Sequence, residues 1–307
     1  MPSSRIVAVF GATGLQGSAV VERLLRDGTF TPRAISRDPE SEASLKLKKQ
    51  GVEVVKADSG DKASLLSALR GAEAIFAVTV PIFGPPGLAG GPSEITQGKN
   101  MIDAAKEAGA KFFVFSSLPS VNRVSGGKYS TVQHYDDKEI IEEYLKSSGL
   151  AHASLHLGGF TENLWIRNVL KKTPSGFNIS IPKYSPTALQ AFTWVGHDVS
   201  ESTLAMLKSY TDPSKNISGK SYPVITATMS YTDLAAMIAK ALKVEVTFTS
   251  KASSGSATFD EMFAALAEYN GLYTSTPVPN PDLVALGAKF GTMEEFMETE
   301  VKKRFRQ

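Results

Sequence analysis

A five-residue apolar run, Ile6–Phe10, ends on Gly11-Ala12-Thr13-Gly14-Leu15-Gln16-Gly17, and an amphipathic stretch from Leu15 to Arg26 follows at once. Nothing else in the chain constrains its fold as tightly. Three glycines spaced three apart permit a sharp strand-to-helix turn, close approach of backbone N–H groups to a pyrophosphate, and close helix–strand packing. A helix starting there turns its positive dipole end toward the same phosphates. Glycines also mark ordinary turns, but the strand before these and the helix after them predict the first βαβ unit of a dinucleotide-binding fold. Gly11, Ala12, Thr13, Gly14, Leu15, Gln16 and Gly17 are then all cofactor-binding candidates.

The rhythm continues through the first half. Strand-like runs at Arg33–Ser36, Val52–Lys56, Ala74–Val80, Phe112–Ser116 and Ala151–His156 alternate with helical patterns. The helices are expected from Asp38-Pro39 (cap and first position) to Gln50, over Asp61–Leu69 and Ser93–Ala108, and over Asp136–Ser147. This predicts an α/β protein: a Rossmann-type, doubly wound parallel sheet. Beyond Gly159 the pattern loosens. Helices at Ser200–Lys208, Tyr231–Leu242, Phe259–Tyr269 and Met293–Arg304 mix with strand-like pieces at Tyr222–Ile225 and Val244–Thr249. Residues 1–157 are expected to form the nucleotide-binding domain. Residues 158–307 should be mainly a smaller, irregular α+β substrate lobe, with some segments returning to the core. The Gly84–Pro92 loop is either a lid over the strand ends or a surface excursion.

Composition removes several alternatives. With 42% hydrophobic residues, 307 residues can bury a full core. A net charge of +2, its signs interspersed, does not resemble a nucleic-acid binder. Without cysteine there is no disulfide, thiolate metal site or Cys nucleophile, and His134, His152, His156 and His197 lack zinc-like spacing. No metal is expected. The chain shows neither a signal-peptide pattern nor an apolar run long enough for a membrane span. A soluble, cytoplasmic protein, with nuclear access allowed, is the expectation.

The second strand carries the cofactor preference. An NAD site places an acidic residue at its end, to accept from the ribose hydroxyls. Here the residues are Ser36-Arg37, and a guanidinium fork matches a 2′-phosphate. NADP(H) over NAD(H) follows, unless Arg37 is a solvated surface arginine. Asp58-Ser59 stands where an adenine amino group would be met, although Asp58 equally suits a loop residue capping its own backbone. Thr79-Val80-Pro81 lies where the nicotinamide ribose passes. Gly158-Gly159-Phe160-Thr161, after the sixth strand, is expected to line the nicotinamide pocket. Glu162-Asn163 is expected to hold that loop to the body. Phe83, Phe160, Trp165, Phe192 and Trp194 are candidates for a substrate wall, with core packing the commoner role for any one of them.

Several segments together resemble one family. They are Gly11–Gly17, Ser36-Arg37-Asp38-Pro39, Val55–Asp61 with Ser64-Leu65, Gln97–Ala105, Phe113–Leu118, His134–Lys138 and Gly158–Leu164. Over about residues 4–210 the chain resembles the NmrA-like family of atypical short-chain dehydrogenases/reductases, close to isoflavone-reductase-like enzymes. That resemblance implies a Rossmann core, NADP(H), and a substrate lobe from the C-terminal third. It also implies two branches. Some members reduce carbonyls, activated alkenes or quinones; others bind NADP(H) without turnover as redox sensors that contact regulatory proteins.

In the wider superfamily a Tyr donates the proton and a Lys four residues later lowers its pKa. Lys138 matches that lysine, and the resemblance also allows it to donate alone. The position four residues earlier is His134, while Tyr135 is one residue out of register and should point about 100° away. His134 is either a proton donor, disfavoured by the nearby ammonium, or a helix-start residue without chemistry. Ser117 stands where the superfamily's substrate-orienting serine is expected, and equally suits a helix cap. Lys138, His134 and Ser117 are thus the catalytic candidates, with Lys138 also a cofactor contact. The expected substrate is small and carbonyl-, enone- or quinone-like. The alternative is a silent NADP(H)-binding regulator with a protein partner.

Overall fold

The computed structural model describes residues 5–83, 91–273 and 275–306. The first half alternates without exception: β1 (Ile6–Val9), α1 (Leu15–Asp27), β2 (Thr31–Ser36), α2 (Glu42–Lys49), β3 (Glu53–Lys56), α3 (Lys62–Leu69), β4 (Ala74–Val78), α4 (Glu94–Glu107) and β5 (Phe112–Ser117). The short α5 (Val121–Val124), α6 (Gln133–Ser147) and β6 (His152–Leu157) complete it. The second half adds β7 (Gly159–Phe160), α7 (Asn163–Ile166), β8 (Leu170–Thr173), β9 (Gly176–Pro182), β10 (Leu189–Thr193) and α8 (Ser200–Ser209). It continues with β11 (Lys220–Val224), β12 (Ala227–Ser230), α9 (Tyr231–Leu242), β13 (Glu245–Lys251) and α10 (Ala257–Glu268).

Seven strands form one sheet in the order β11-β6-β5-β4-β1-β2-β3, every neighbour parallel. Strand order reverses between β1 and β4, which opens a crevice at their carboxyl ends. The expected doubly wound sheet is present, and β11, from the second half of the chain, is one of its edge strands. Continuous burial explains the parallel pairing: β5 (Phe112–Ser117) is covered on both faces, so its sequence need not alternate. Val20, Val21 and Leu24 of α1 pack with Phe76 and Phe112 on one face, and Leu65, Ile102 and Ile141 with Phe113 and Phe115 on the other. Fully burying each such side chain contributes roughly 1.5–3 kcal/mol. A separate core of Ile179, Tyr184, Phe192, Trp194, Tyr231 and Phe296 underlies the smaller sheets, β12-β10-β7 and β13-β9-β8.

Three of the boundaries that differ from expectation have a visible local cause. The helix predicted from Asp38 begins at Glu42, because Asp38 is spent on a turn. Its Oδ1 accepts from the Glu40 N–H at 3.0 Å, its carbonyl takes the Ser36, Ser41 and Ser44 hydroxyls, and Ser41 becomes the cap. Val80 lies outside β4, because the Gln97 amide takes both its N–H (3.0 Å) and its C=O (3.1 Å). The helix expected from Asp136 begins at Gln133: the Asp136 carboxylate reaches instead to the Ser120 hydroxyl and the Asn122 N–H at the start of α5. Of the Gly84–Pro92 loop, residues 84–90 lie outside the described residues.

Candidate active site

The glycine turn sits in the crevice between β1 and β4. Gly11 has φ +62°, a left-handed backbone that favours glycine, and a Cβ there would stand 2.7 Å from Val78. A Cβ on Gly17 would stand 2.2 Å from the Gly11 carbonyl oxygen, so the helix can approach the turn this closely only through glycine. Gly14 caps α1 with no side chain, and no acidic residue occupies the first turn. The first-turn N–H groups therefore have no capping side chain to accept from them, as an anion site requires. Ala12 is buried, Thr13 is exposed, and Leu15 and Gln16 are half-buried, with Gln16 Oε1 lacking a partner among the described residues.

Arg37 is exposed just beyond β2 and engages no described residue in a hydrogen bond or ion pair. Ser36, expected beside it as a cofactor contact, spends its hydroxyl on the Asp38 backbone at 2.9 and 3.2 Å. Asp58 follows the local alternative, its Oδ1 accepting from the Gly60 N–H at 2.7 Å. The Ser59 carbonyl accepts from Asn100 Nδ2 at 2.9 Å, which ties this loop to α4. The open α1 terminus and the available guanidinium fit a phosphorylated dinucleotide; the Ser36 and Asp58 side chains are already occupied.

At the end of β4 lies a buried polar knot. Lys138 Nζ donates to Thr79 Oγ1 at 2.9 Å and pairs with Glu94 Oε1 at 2.6 Å, while the Thr79 hydroxyl donates to the same carboxylate oxygen at 2.6 Å. Thr79 and Glu94 are each 2% exposed and Lys138 7%. Glu94 went unread in the sequence; its signal was an acidic residue in the first turn of a Ser-capped helix following the strand-four loop. Gln97 fixes the Val80 backbone from the next turn of α4, and Pro81 is half-buried beside it. Ser117 is not brought to the cleft. It is 1% exposed, and its hydroxyl points at the Lys138 carbonyl, 3.5 Å away, and toward Glu142.

One turn before Lys138, His134 stands among aromatic rings. Its centroid is 5.2 Å from Phe83, 5.0 Å from Tyr135 and 6.3 Å from Phe259 of α10, and Phe83 and Phe259 are themselves 5.3 Å apart. Nδ1 is buried without a partner among the described residues. Burial, reinforced by Lys138, pushes the imidazole down to about 4. That favours the neutral imidazole at physiological pH, the reverse of what a protonated donor needs. Tyr135 turns into the lobe core, where burial pushes its phenol well above the ordinary range. Phe259 was legible only as the start of a helix, because its nearness to His134 is a long-range contact.

Gly158 and Gly159 lie against β10. Cβ atoms there would stand 2.3 Å from the Ala191 carbonyl and 2.6 Å from the Gln190 amide, so both serve close packing on β10. Thr161 is buried, and its N–H donates to the Thr193 carbonyl at 3.0 Å. The Glu162 carboxylate accepts from the N–H groups of Gly196 (2.7 Å) and Val195 (3.2 Å), which holds the loop to the body. Among the proposed wall aromatics, Phe192 and Trp194 are buried in the lobe core and Trp165 stacks on Phe296. Phe160 packs on the main core, which leaves Phe83, beside His134.

A parallel sheet reversing at β1/β4, with an open glycine turn and a buried lysine at that switch point, defines a Rossmann-type nucleotide-binding fold. The sequence pattern of the NmrA-like family matches residues 3–297, and the chain belongs to that family. It is 42% identical over 147 residues to the NmrA-like family domain-containing oxidoreductase FrzB of Cladobotryum sp, and 36% over 149 residues to hkm9 of Aspergillus hancockii. Those matches span 47% and 48% of this chain but 43% and 44% of the relatives, so less than half of each relative is covered. Among solved structures, NmrA, a negative transcriptional regulator, in complex with NADP aligns with TM-score 0.77 at 19% identity, covering 98% of this chain and 97% of that one. The same regulator has also been solved with NAD. The NADPH-dependent quinone oxidoreductase QOR2 of Escherichia coli, complexed with NADPH, aligns with TM-score 0.70 at 23% identity, over 95% of this chain and 98% of that one.

Proposed function

We propose that this chain binds NADP(H) and acts as an NADPH-dependent reductase of a small planar carbonyl, enone or quinone. The observation that carries this reading is the aromatic cluster of Phe83, His134 and Phe259, one turn from Lys138 at the sheet's switch point. The first-turn N–H groups of α1 would hold the pyrophosphate, and Arg37 the 2′-phosphate. The bound nicotinamide supplies the hydride. Lys138 would meet the nicotinamide ribose and hold an N–H at the substrate oxygen, and the aromatic rings would flatten the substrate and exclude water. A quinone suits the site best, because its protons can come from solvent and no tyrosine is required. Residues 1–157 would carry the cofactor and most of residues 158–307 the substrate lobe, in the cytoplasm.

A second reading, a silent NADP(H)-binding regulator with a protein partner, draws on the neutral His134 four residues before Lys138, where no hydroxyl donor stands. NADPH oxidation against a panel of quinones and enones separates the two. Tight NADPH binding without turnover of any of them overturns the reductase reading.

A further inference from the structure

β13 (Glu245–Lys251) is an edge strand of the sheet β13-β9-β8, paired in parallel with β9 along all 7 of its residues. The other edge strands of the three sheets, β3, β7, β8, β11 and β12, have 5 residues or fewer. β9 covers one edge of β13 and α9 one face, and no described residue bonds its backbone on the remaining edge. The Lys183 N–H donates to the Lys251 carbonyl at 3.0 Å, so the backbone groups of Lys251 turn toward β9. By the two-residue period those of Thr249, Thr247 and Glu245 do the same, and those of Val246, Phe248 and Ser250 face outward. Edges are ordinarily blunted by brevity, proline, bulges or inward charges. This one has an unbroken register, no proline, and a Val-Thr-Phe-Thr centre that suits pleated structure.

The strand is also complementary to its own reverse. Laid antiparallel on a copy with Phe248 opposite Phe248, Glu245 meets Lys251, Val246 meets Ser250 and Thr247 meets Thr249. The outward-facing Val246, Phe248 and Ser250 then fall on the hydrogen-bonded pairs. Glu245 with Lys251 and Thr247 with Thr249 fall on the other pairs, where side chains approach most closely. Glu245 and Lys251 are both exposed, and neither has an ion-pair partner among the described residues. On the opposite face Phe248, half-buried and stacked on Tyr231 of α9 at 5.9 Å, would meet its twin. We propose that β13 is the docking edge for a second copy of this chain. Two β13 strands pair antiparallel about a two-fold axis at Phe248 and join two three-stranded sheets into one. The matched charges at both ends select a copy of the same strand over an unrelated extended segment. This interface does not rest on the reductase reading.

Sedimentation equilibrium of the full-length protein over a dilution series tests this. The wild type is expected to show a monomer–dimer equilibrium. Lys251→Glu sets a like charge against Glu245 at both ends of the pairing and should weaken the dimer roughly 10-fold or more. Combining it with Glu245→Lys exchanges the signs and should restore the dimer, a recovery that only this self-paired register gives. Ser250→Pro removes an outward N–H, leaves the bonds to β9 in place and should give a monomer. Should Ser250→Pro fail to fold, the charge reversals at two exposed positions decide alone. A monomer at every concentration, a dimer indifferent to Lys251→Glu, or a double variant no tighter than Lys251→Glu overturns the proposal.

Discussion

The His134 imidazole and the Phe83 ring meet edge to face with centroids 5.2 Å apart, and Phe259 packs on both from a different part of the chain. A cluster of rings favours a flat ligand stacked against it, and aromatic contacts of this kind are worth about 0.5–1.5 kcal/mol beyond the area they bury. Phe259→Ala is therefore expected to raise the KM for a planar quinone roughly 3- to 10-fold. The NADPH dissociation constant should not change. Steady-state kinetics with parallel cofactor titration checks this, and a loss confined to NADPH binding would remove Phe259 from the substrate site.

Arg37 is the residue on which cofactor choice is expected to turn. Hydrogen bonds to charged groups contribute about 1.5–3 kcal/mol, or roughly 10- to 150-fold in affinity. Arg37→Ala should weaken NADPH by that factor and leave NADH nearly untouched. Equal losses, measured by fluorescence titration of both nucleotides, would refute the 2′-phosphate assignment.

Gly17→Ala sets a methyl group against the Gly11 carbonyl oxygen, which is backbone and cannot swing aside. Overpacking of this kind costs about 1–3 kcal/mol. The variant should melt at a lower temperature and bind either dinucleotide more weakly, because helix and turn must separate. An unchanged melting curve by calorimetry would show that the turn yields.

Glu142 is buried, accepts from Ser221 and sits 2.7 Å from His156 Nε2. Despite a desolvation cost that opposes it, these partners bring its carboxyl down to about 2 from a usual 4.5. A lowered folded-state value means stability that is present above about pH 4.5 and lost as the pH falls toward 2. The magnitude is about 3 kcal/mol at 1.36 kcal/mol per unit. Denaturation at a series of pH values should show that slope in the wild type and lack most of it in Glu142→Gln. His134 acts in a neighbouring window: its proton is favoured in the unfolded chain, so stability also declines from pH 6.5 toward 4.

The nucleotide half was legible because its information is local. The apolar run to Phe10, the glycines at 11, 14 and 17, and the Ser93 and Asp61 caps each act within one turn of chain. The misplaced start of α2 came from a local competition that sequence alone did not rank: Asp38 closes a turn with its own carboxylate before any helix can use it. At the site, Lys138 and His134 were visible from their spacing, but Glu94 and Phe259 were not. Each gains its meaning from a partner 40 or more residues away, as the 44-residue separation of Glu94 and Lys138 shows. Gly158 and Gly159 stand close to β10, a long-range contact that the residues around them do not announce.

The return of β11 also bears on the order in which the chain can be made. During synthesis β1 through β6 emerge first, and until residue 224 has appeared β6 shows an unpaired row of N–H and C=O groups along the sheet's edge. Glu142 and His156 wait over the same interval for Ser221 to complete their cluster. A nascent chain stalled between residues 157 and 220 is thus a sheet with an open flank, the state in which it is most exposed to pairing with a stranger.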